Sequence, residues 1–385
     1  MTTLVVGAGI FGVTAALALR RRGRAVTLLD PGPLPHPLAA STDISKVVRL
    51  EYGADETYMQ WTERALDGWR RWNAAWDAPL FYETGVLFLS RGVLSPGGFE
   101  HDSLEVLTRR GHAVERLDAS AVRARFPAWN AELFVDGYYN PAGGWVDSGA
   151  VVARLVAEAV DAGVALAPRS AVTQLIESDG RVTGVVLADG TRLNGDAVLV
   201  TSGAWTPHLL PWLAPHLRGV GQPVFHLAPA DLGAFDARVF PVFGADIAQT
   251  GYYGFPATGG VVKIAHHGPG REMHPESGER QVTDAELDAM RAFVARAFPP
   301  LAAAPIAKTR VCLYCDTADQ HFWIAPDPDR DGLVVAAGGS GHAFKMAPLV
   351  GEWCADALEG RIEPRFGWRP DARADSGEEA TRCKL

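Results

Sequence analysis

Residues 2–30, TTLVVGAGIFGVTAALALRRRGRAVTLLD, constrain this chain more tightly than any other stretch. They read as a buried strand, a glycine turn, a helix and a second strand. Gly7, Gly9 and Gly12 form G-x-G-x-x-G directly after the first strand, and Asp30 ends the second strand 23 positions beyond Gly7. Gly7 permits the tight turn, Gly9 lets backbone approach a pyrophosphate, and Gly12 allows the helix to pack closely on the strand. The helix N-terminus at Ile10 and Phe11 then faces the phosphates, while Asp30 can accept from a ribose hydroxyl. Pro31 and Gly32 follow with no nearby arginine for a 2′-phosphate, so FAD or NAD is favoured over NADP. Arg20, Arg21, Arg22 and Arg24 fall where the helix should end, a position that suits cations.

The chain has 385 residues, more than one ordinary core encloses, so two domains are expected. Hydrophobic residues at 48% and charged residues at 21% fit a soluble globular protein. The formal net charge of −9 argues against general affinity for nucleic acid or an anionic membrane. Four cysteines, at 312, 315, 354 and 383, are too few for a disulfide framework and fit a reducing compartment. The apolar N-terminus lacks the basic start of a signal peptide, and no apolar run reaches the roughly 18 residues of a membrane span.

Beyond a proline-rich loop, residues 55–76 place Tyr58, Trp61, Ala65, Trp69, Trp72 and Trp76 at three- and four-residue intervals. That stripe predicts a helix face buried in the core, not a base-stacking platform. Asp179-Gly180 and Asp189-Gly190, ten residues apart, predict a meander of short strands returning to a buried strand at 197–201. Residues 220–270 read as strand-rich, and 283–298 as an amphipathic helix capped by Thr283 or Asp284. GLVVAAGGSGHAFKMAPLVGEWCADALEG, from Gly332, reads as strand, glycine turn and helix. Nucleotide-binding pieces thus open and close the chain. Interleaved domains fit better than the contiguous unit of a nicotinamide dehydrogenase.

GAGIFG, SKVVRLEYG, GYYGFP, KIAHH, VCLYCDT and GGSGHAFKM occur in an order, over nearly the whole length, that resembles the monomeric sarcosine oxidase family of amine oxidases. That family includes N-methyltryptophan, pipecolate and fructosamine oxidases. The resemblance implies an α/β fold in which a Rossmann-type FAD-binding domain is interleaved with a strand-rich α+β substrate domain, as in D-amino acid oxidase and sarcosine oxidase. The corresponding boundaries are 1–80, 141–215 and 310–370 for the FAD-binding domain, 81–140 and 216–309 for the substrate domain, and a polar tail at 371–385.

VCLYCDT carries two cysteines three apart. A zinc site wants four ligands where this pair offers two, and a thioredoxin-like motif should open a helix where this stretch reads as extended. The resemblance makes Cys312 the thiol joined covalently to the flavin 8α-methyl carbon, with Cys315 as the alternative. Cys354 and Cys383 are read as structural or incidental. The resemblance also assigns Ser41, Ser45, Lys46, Gly338, Gly339, Gly341, His342 and Lys345 to the cofactor. It matches Arg49 and Lys345 to the cations that bind an amino-acid carboxylate, for which a guanidinium fork is suited. As ordinary features, Arg49 would be a surface salt bridge and Lys345 a solvated helix start.

If VVKIAHH is a strand, Lys263 and His267 share one face and His266 takes the other. Four residues span about 13 Å, so the pair could flank a ring-sized ligand but not share one metal ion, and no metal is expected. Lys263 matches the family lysine whose charge stabilises superoxide, and His267 a substrate-pocket histidine. Tyr253 and Tyr314 match aromatic pocket positions.

This chain departs from sarcosine oxidases in carrying Lys46 where they have a second arginine, and Thr42 where they have a histidine. TDISK, DTAD and AGGW resemble fructosamine oxidases instead, yet those place a glutamate where His267 stands. Lys46 either takes over a role above the flavin or enlarges the pocket. The implied activity is FAD-dependent oxidation of a carboxylate-bearing secondary amine, sarcosine or another N-alkyl amino acid, by a monomer that reduces oxygen to hydrogen peroxide. The alternatives are a fructosyl-amino-acid or cyclic imino-acid oxidase, and a flavin dehydrogenase with another acceptor. The expected compartment is the cytoplasm. Cys383-Lys384-Leu385 resembles a relaxed S-K-L signal and keeps the peroxisomal matrix as the alternative.

Overall fold

The first strand of the chain, Thr2–Val6, is central to a six-stranded sheet in the computed structural model, which describes residues 1–372. Cys383-Lys384-Leu385 lies outside the described residues. Ala25–Asp30 and Ala197–Val200 pair in parallel on either side of that strand. Ala165–Pro168 extends one edge, and Leu333–Ala337 with the antiparallel Trp323–Pro326 extends the other. Strands covered on both faces need continuous apolar runs, and AVLV at 197–200 and LVVAA at 333–337 are fully buried. The sheet therefore joins the two ends of the chain.

Helix Ile10–Arg21 packs against helix Ala347–Leu358. Their approach is close enough that a Cβ on Gly351 would lie 2.3 Å from the Thr14 carbonyl oxygen. Arg21 and Arg22 at the end of the first helix reach Glu352 on the second, and Arg22 also reaches Asp356 and Glu359. The basic cluster does end a helix; Arg21 and Arg22 pair with acids of the helix beside it, while Arg20 donates to the Ala162 and Arg24 carbonyls.

A second sheet of nine strands holds Leu217–Leu227 between Ile306–Thr317 on one side and Val262–His266 with Arg271–Glu272 on the other. It continues through Tyr252–Gly254 and Val242–Ala245 to Val86–Ser90, Asp136–Asn140 and Glu115–Asp118. The strands carrying Tyr253, Lys263, Cys312 and Tyr314 thus belong to one sheet. A separate small sheet, Lys46–Val48, Gly144–Val146 and Phe81–Tyr82, carries Lys46.

The meander at 172–194 forms as its Asp-Gly turns predict. Asp179 and Gly180 both have positive φ, 51° and 76°, the pairing that a tight hairpin turn demands. The tryptophan stripe lies on helix Glu56–Ala75, capped by Asp55, with Ala65 buried and Tyr58, Trp61 and Trp69 buried in the largest apolar cluster. Helix Asp284–Ala297 is capped by Thr283, and Glu286 closes a capping box. Among the described residues no helix is long and apolar enough to cross a membrane.

Candidate active site

The glycine turn after Thr2–Val6 is dictated by contact. Gly7 has φ +106°, and a Cβ on it would sit 2.7 Å from the Thr201 carbonyl oxygen. A Cβ on Gly12 would sit 1.8 Å from the Gly7 carbonyl oxygen, so Gly12 works in the packing of helix on turn. Gly9 caps the helix without a side chain, and Ser41 from the proline-rich loop accepts the Ile10 N–H at 2.9 Å instead. Asp30 accepts the N–H groups of Ala8 at 2.9 Å and Gly32 at 3.0 Å through different oxygens. Burial raises the Asp30 pKa against the pull of those two bonds.

A cavity of about 400 Å³ begins here, with Gly7, Gly9, Ile10, Phe11, Asp30 and Ser41 on its wall. The same cavity is lined by Lys46, Cys312, Tyr314, Gly338, Gly339 and Gly341. The donor set suits a dinucleotide: a helix N-terminus, glycine backbone at both ends of the chain, and one buried carboxylate. Gly341 is at φ +78°, and a Cβ there would lie 2.3 Å from the Tyr314 ring. The cradle is therefore bare backbone by steric necessity at two separate turns. FAD fits it.

A smaller cavity, about 70 Å³, shares Lys46, Tyr314, Gly341 and Phe344 with the first. Its wall brings together Arg49, Tyr253, Lys263, His267 and Lys345, along with Ser45 and His342. Phe88, Ile247 and Phe255 make it apolar between those groups. Lys263 and His267 do share this face, whereas His266 turns away and donates to the Thr250 carbonyl at 3.1 Å.

Arg49 and Lys345 are only 6% and 3% exposed, so neither is the surface group that a simpler reading would make it. The Arg49 guanidinium lies 5.3 Å from the Tyr52 ring, 5.5 Å from Phe99 and 6.0 Å from Phe88, and donates to the Glu51 carbonyl. Lys345 donates to the Tyr52 hydroxyl at 3.0 Å. That hydroxyl lies 2.9 Å from His342 Nδ1, and His342 Nε2 lies 2.9 Å from the Gln320 carbonyl oxygen. A carbonyl can only accept, so Nε2 carries a proton; in the neutral imidazole Nδ1 then accepts from Tyr52, and the Tyr52 oxygen is left to accept from Lys345. Trp69 fixes the same segment by donating Nε1–H to the Lys345 carbonyl at 2.7 Å.

Lys263 donates to Asp43 Oδ2 and to the Ser45 carbonyl, both at 2.6 Å, and sits 4.7 Å from the Phe255 ring centre. Burial lowers its pKa to about 8, with Asp43 acting against the shift and Lys46 adding to it. Burial would raise Asp43, but Lys263, the His226 imidazole 3.6 Å away, and the charges of Lys46 and Arg310 hold it well below the usual carboxylate range.

The two cysteines of VCLYCDT project from strand Ile306–Thr317 into different clusters. Cys312 packs with Val224, Ala265 and Tyr314, its sulfur 3.9 Å from the Ala40 carbonyl oxygen. Cys315 joins the core around Trp323 and Val335, and burial pushes its thiol up to about 12. An odd spacing on a strand sends the two side chains to opposite faces, so the pair forms neither a disulfide nor a metal clip.

Asp43, Glu51 and Tyr52 are the residues that sequence reasoning passed over. Asp43 stood in TDISK and the other two in SKVVRLEYG, but only their partners across the fold reveal them.

Residues 2–357 match the family described as FAD dependent oxidoreductase. Monomeric sarcosine oxidase from Bacillus sp. (strain B-0618) is 27% identical over 372 residues, covering 94% of this chain and 93% of its own length. N-methyl-L-tryptophan oxidase from Citrobacter koseri is 28% identical over 369 residues, covering 95% and 96%. Among solved structures, fructosyl amine:oxygen oxidoreductase (Amadoriase I) from Aspergillus fumigatus superposes with a TM-score of 0.82 at 25% identity, covering 99% of this chain and 92% of that one.

Proposed function

The chain belongs to the FAD dependent oxidoreductase family, and from that premise we propose that it oxidises a carboxylate-bearing secondary amine, sarcosine or another N-alkyl amino acid, to an imine, with oxygen reduced to hydrogen peroxide. One observation carries this reading: a cavity holding two buried cations, Arg49 and Lys345, meets the dinucleotide cavity at Lys46, Tyr314, Gly341 and Phe344. The relatives support it, because sarcosine, N-methyltryptophan and a fructosyl amine are all secondary amines.

Bound FAD would supply the redox chemistry, taking hydride from the carbon beside nitrogen and passing electrons to oxygen. Backbone at Gly7, Gly9, Gly338 and Gly339 would lie along it, Asp30 would accept from its ribose, and Cys312 would hold it covalently. Cys315, with its thiol pushed up to about 12, lacks the thiolate that such a bond requires.

The remaining work belongs to side chains. Arg49 offers a fork to the substrate carboxylate, and Lys345, held by Tyr52, adds a second charge. Phe88, Ile247 and Phe255 give the N-alkyl group an apolar wall and exclude water. Lys46, Arg49, Lys263 and Lys345 together disfavour a bound ammonium, so the amine reacts as its free base with no side-chain base required. Lys263 presents a fixed positive charge where negative charge develops on oxygen.

A second reading, a fructosyl-amino-acid oxidase, is favoured by the likeness to Amadoriase I, while His267 stands where the resemblance places a glutamate. A panel of sarcosine, larger N-methyl amino acids, pipecolate and fructosyl-glycine with peroxide detection separates the readings. Arg49→Met should raise KM for each carboxylated substrate. Equal turnover of amines lacking a carboxylate, or reduction of the cofactor without peroxide in air, would sink the proposal.

A further inference from the structure

Glu51 is fully buried, two residues from Arg49, and is not on the wall of either cavity. Its Oε1 accepts from Asn140 Nδ2 at 2.8 Å, and its Oε2 has no hydrogen-bond partner among the described residues. Asn140 is itself held in place, its Oδ1 accepting the Ala142 N–H at 3.0 Å. The charged and titratable groups around the carboxyl are Arg49 and the buried phenol of Tyr138, which also feels Glu100. Burial raises the Glu51 pKa, and the Asn140 hydrogen bond and the Arg49 charge oppose it.

A buried carboxyl with a bare oxygen either takes up a proton or stays ionised beside a cation. The cation beside it is Arg49, whose guanidinium donates to the Glu51 backbone carbonyl and also lines the smaller cavity. If Arg49 receives a ligand carboxylate, one guanidinium must serve two anions, and two carboxylates sharing a site do not both stay ionised.

We propose that Glu51 is a charge-balancing residue that takes up one proton when a carboxylate docks on Arg49 and gives it back when the ligand leaves. The inference rests on the carboxylate reading of Arg49 given above. The balance is simple: ionised Glu51, cationic Arg49, a ligand anion and one proton from solvent become neutral Glu51 beside an Arg49–ligand ion pair. No other bond is made or broken. Glu51 does not touch the ligand and acts through Arg49.

Linkage fixes the sign. The ligand raises the pKa of Glu51, so affinity falls by about tenfold per pH unit as pH rises between the free and the bound pKa, and is flat outside that window.

The probe is methoxyacetate, which keeps the carboxylate and replaces the amine with an ether oxygen that cannot become an imine. Its binding to the holoenzyme is measured by calorimetry in buffers of different ionisation enthalpy, which counts protons taken up. Uptake approaching one proton is expected in the native protein, with none and no pH dependence in Glu51→Gln. Infrared difference spectra should show a protonated carboxyl appearing on binding, shifted in protein labelled with 13C-glutamate and retained in Glu100→Gln. That spectrum decides the matter even if Glu51→Gln does not fold. Binding without proton uptake, or uptake unchanged in Glu51→Gln and so belonging to His267 or His342, overturns the proposal alone. No binding at all, in a protein that carries FAD, overturns the carboxylate reading and the proposal with it.

Discussion

Asp43 Oδ2 lies 2.6 Å from Lys263 Nζ, with both side chains only 3% exposed. Two of the three ammonium protons are committed, to Asp43 and to the Ser45 carbonyl. The lysine is therefore aimed as well as charged. Removing one partner of a buried pair leaves the other uncompensated, which costs about 3–5 kcal/mol. Asp43→Asn should lose stability of that order in denaturant unfolding. Without its carboxylate partner, Lys263 should deprotonate below about 8, so the alkaline limb of oxygen reactivity should move to lower pH. An unmoved limb would separate Lys263 from the oxygen step.

The same pair shapes acid stability. Asp43 is held below its ordinary 3.8 in the folded chain, so its contribution is fully present above that value. As pH falls through 3.8 the unfolded chain gains a proton that the folded chain refuses, and the contribution declines. Denaturant midpoints taken above and below that pH should fall more steeply in the native protein than in Asp43→Asn.

Cys312 and Cys315 make opposite predictions for colour. Acid-denatured native protein should keep its yellow chromophore on the polypeptide, Cys315→Ser should keep it too, and Cys312→Ser should release it. Both cysteines line the dinucleotide cavity, but Cys315 packs into the core around Trp323 with its thiol raised to about 12, whereas Cys312 packs beside Tyr314. Retention in Cys312→Ser with loss in Cys315→Ser would reverse the assignment.

The glycine turn predicts two unequal alanine variants. At Gly12 a methyl would sit 1.8 Å from the Gly7 carbonyl oxygen, backbone that cannot yield without moving the helix. Gly12→Ala should be poorly soluble or free of cofactor. At Gly9 the nearest atom is the Ser41 hydroxyl oxygen at 3.3 Å. Gly9→Ala should fold with a nearly unchanged Tm and lose only cofactor affinity, measured as flavin per polypeptide.

Those glycines also show why the N-terminal unit is legible in the sequence. Although Thr201 presses on Gly7 from the end of the neighbouring strand, much of what shapes the unit is local: the positive φ at Gly7, the helix start at Ile10 and the contact of Gly12 with the Gly7 carbonyl fall within 30 residues. The same holds for the meander, set by its Asp-Gly turns, and for the helix capped by Thr283. The nine-stranded sheet is different. Val86–Ser90 lies parallel to Val242–Ala245, a pairing that no period in either segment encodes. In the site, alternation along VVKIAHH places Lys263 and His267 on one face, but their partners are distant. Asp43 is 220 positions from Lys263, and Tyr52 is 293 from Lys345. A short motif carries the type of residue at a site, and only the fold supplies what holds it.

Tyr52 gives the sharpest test of that second kind. Its ring lies 4.5 Å from the Lys345 ammonium and stacks on Tyr58 at 4.8 Å, contacts that phenylalanine would keep. Only the hydroxyl is lost in Tyr52→Phe, and with it the bond from Lys345 and the bond to His342. A hydrogen bond to a charged group contributes about 1.5–3 kcal/mol. If Lys345 serves to hold the substrate carboxylate, the loss falls on binding that ground state and transition state share. Tyr52→Phe should then raise KM about tenfold or more with kcat little changed. A fall in kcat at constant KM would mean that the Lys345–Tyr52–His342 chain acts in the chemical step.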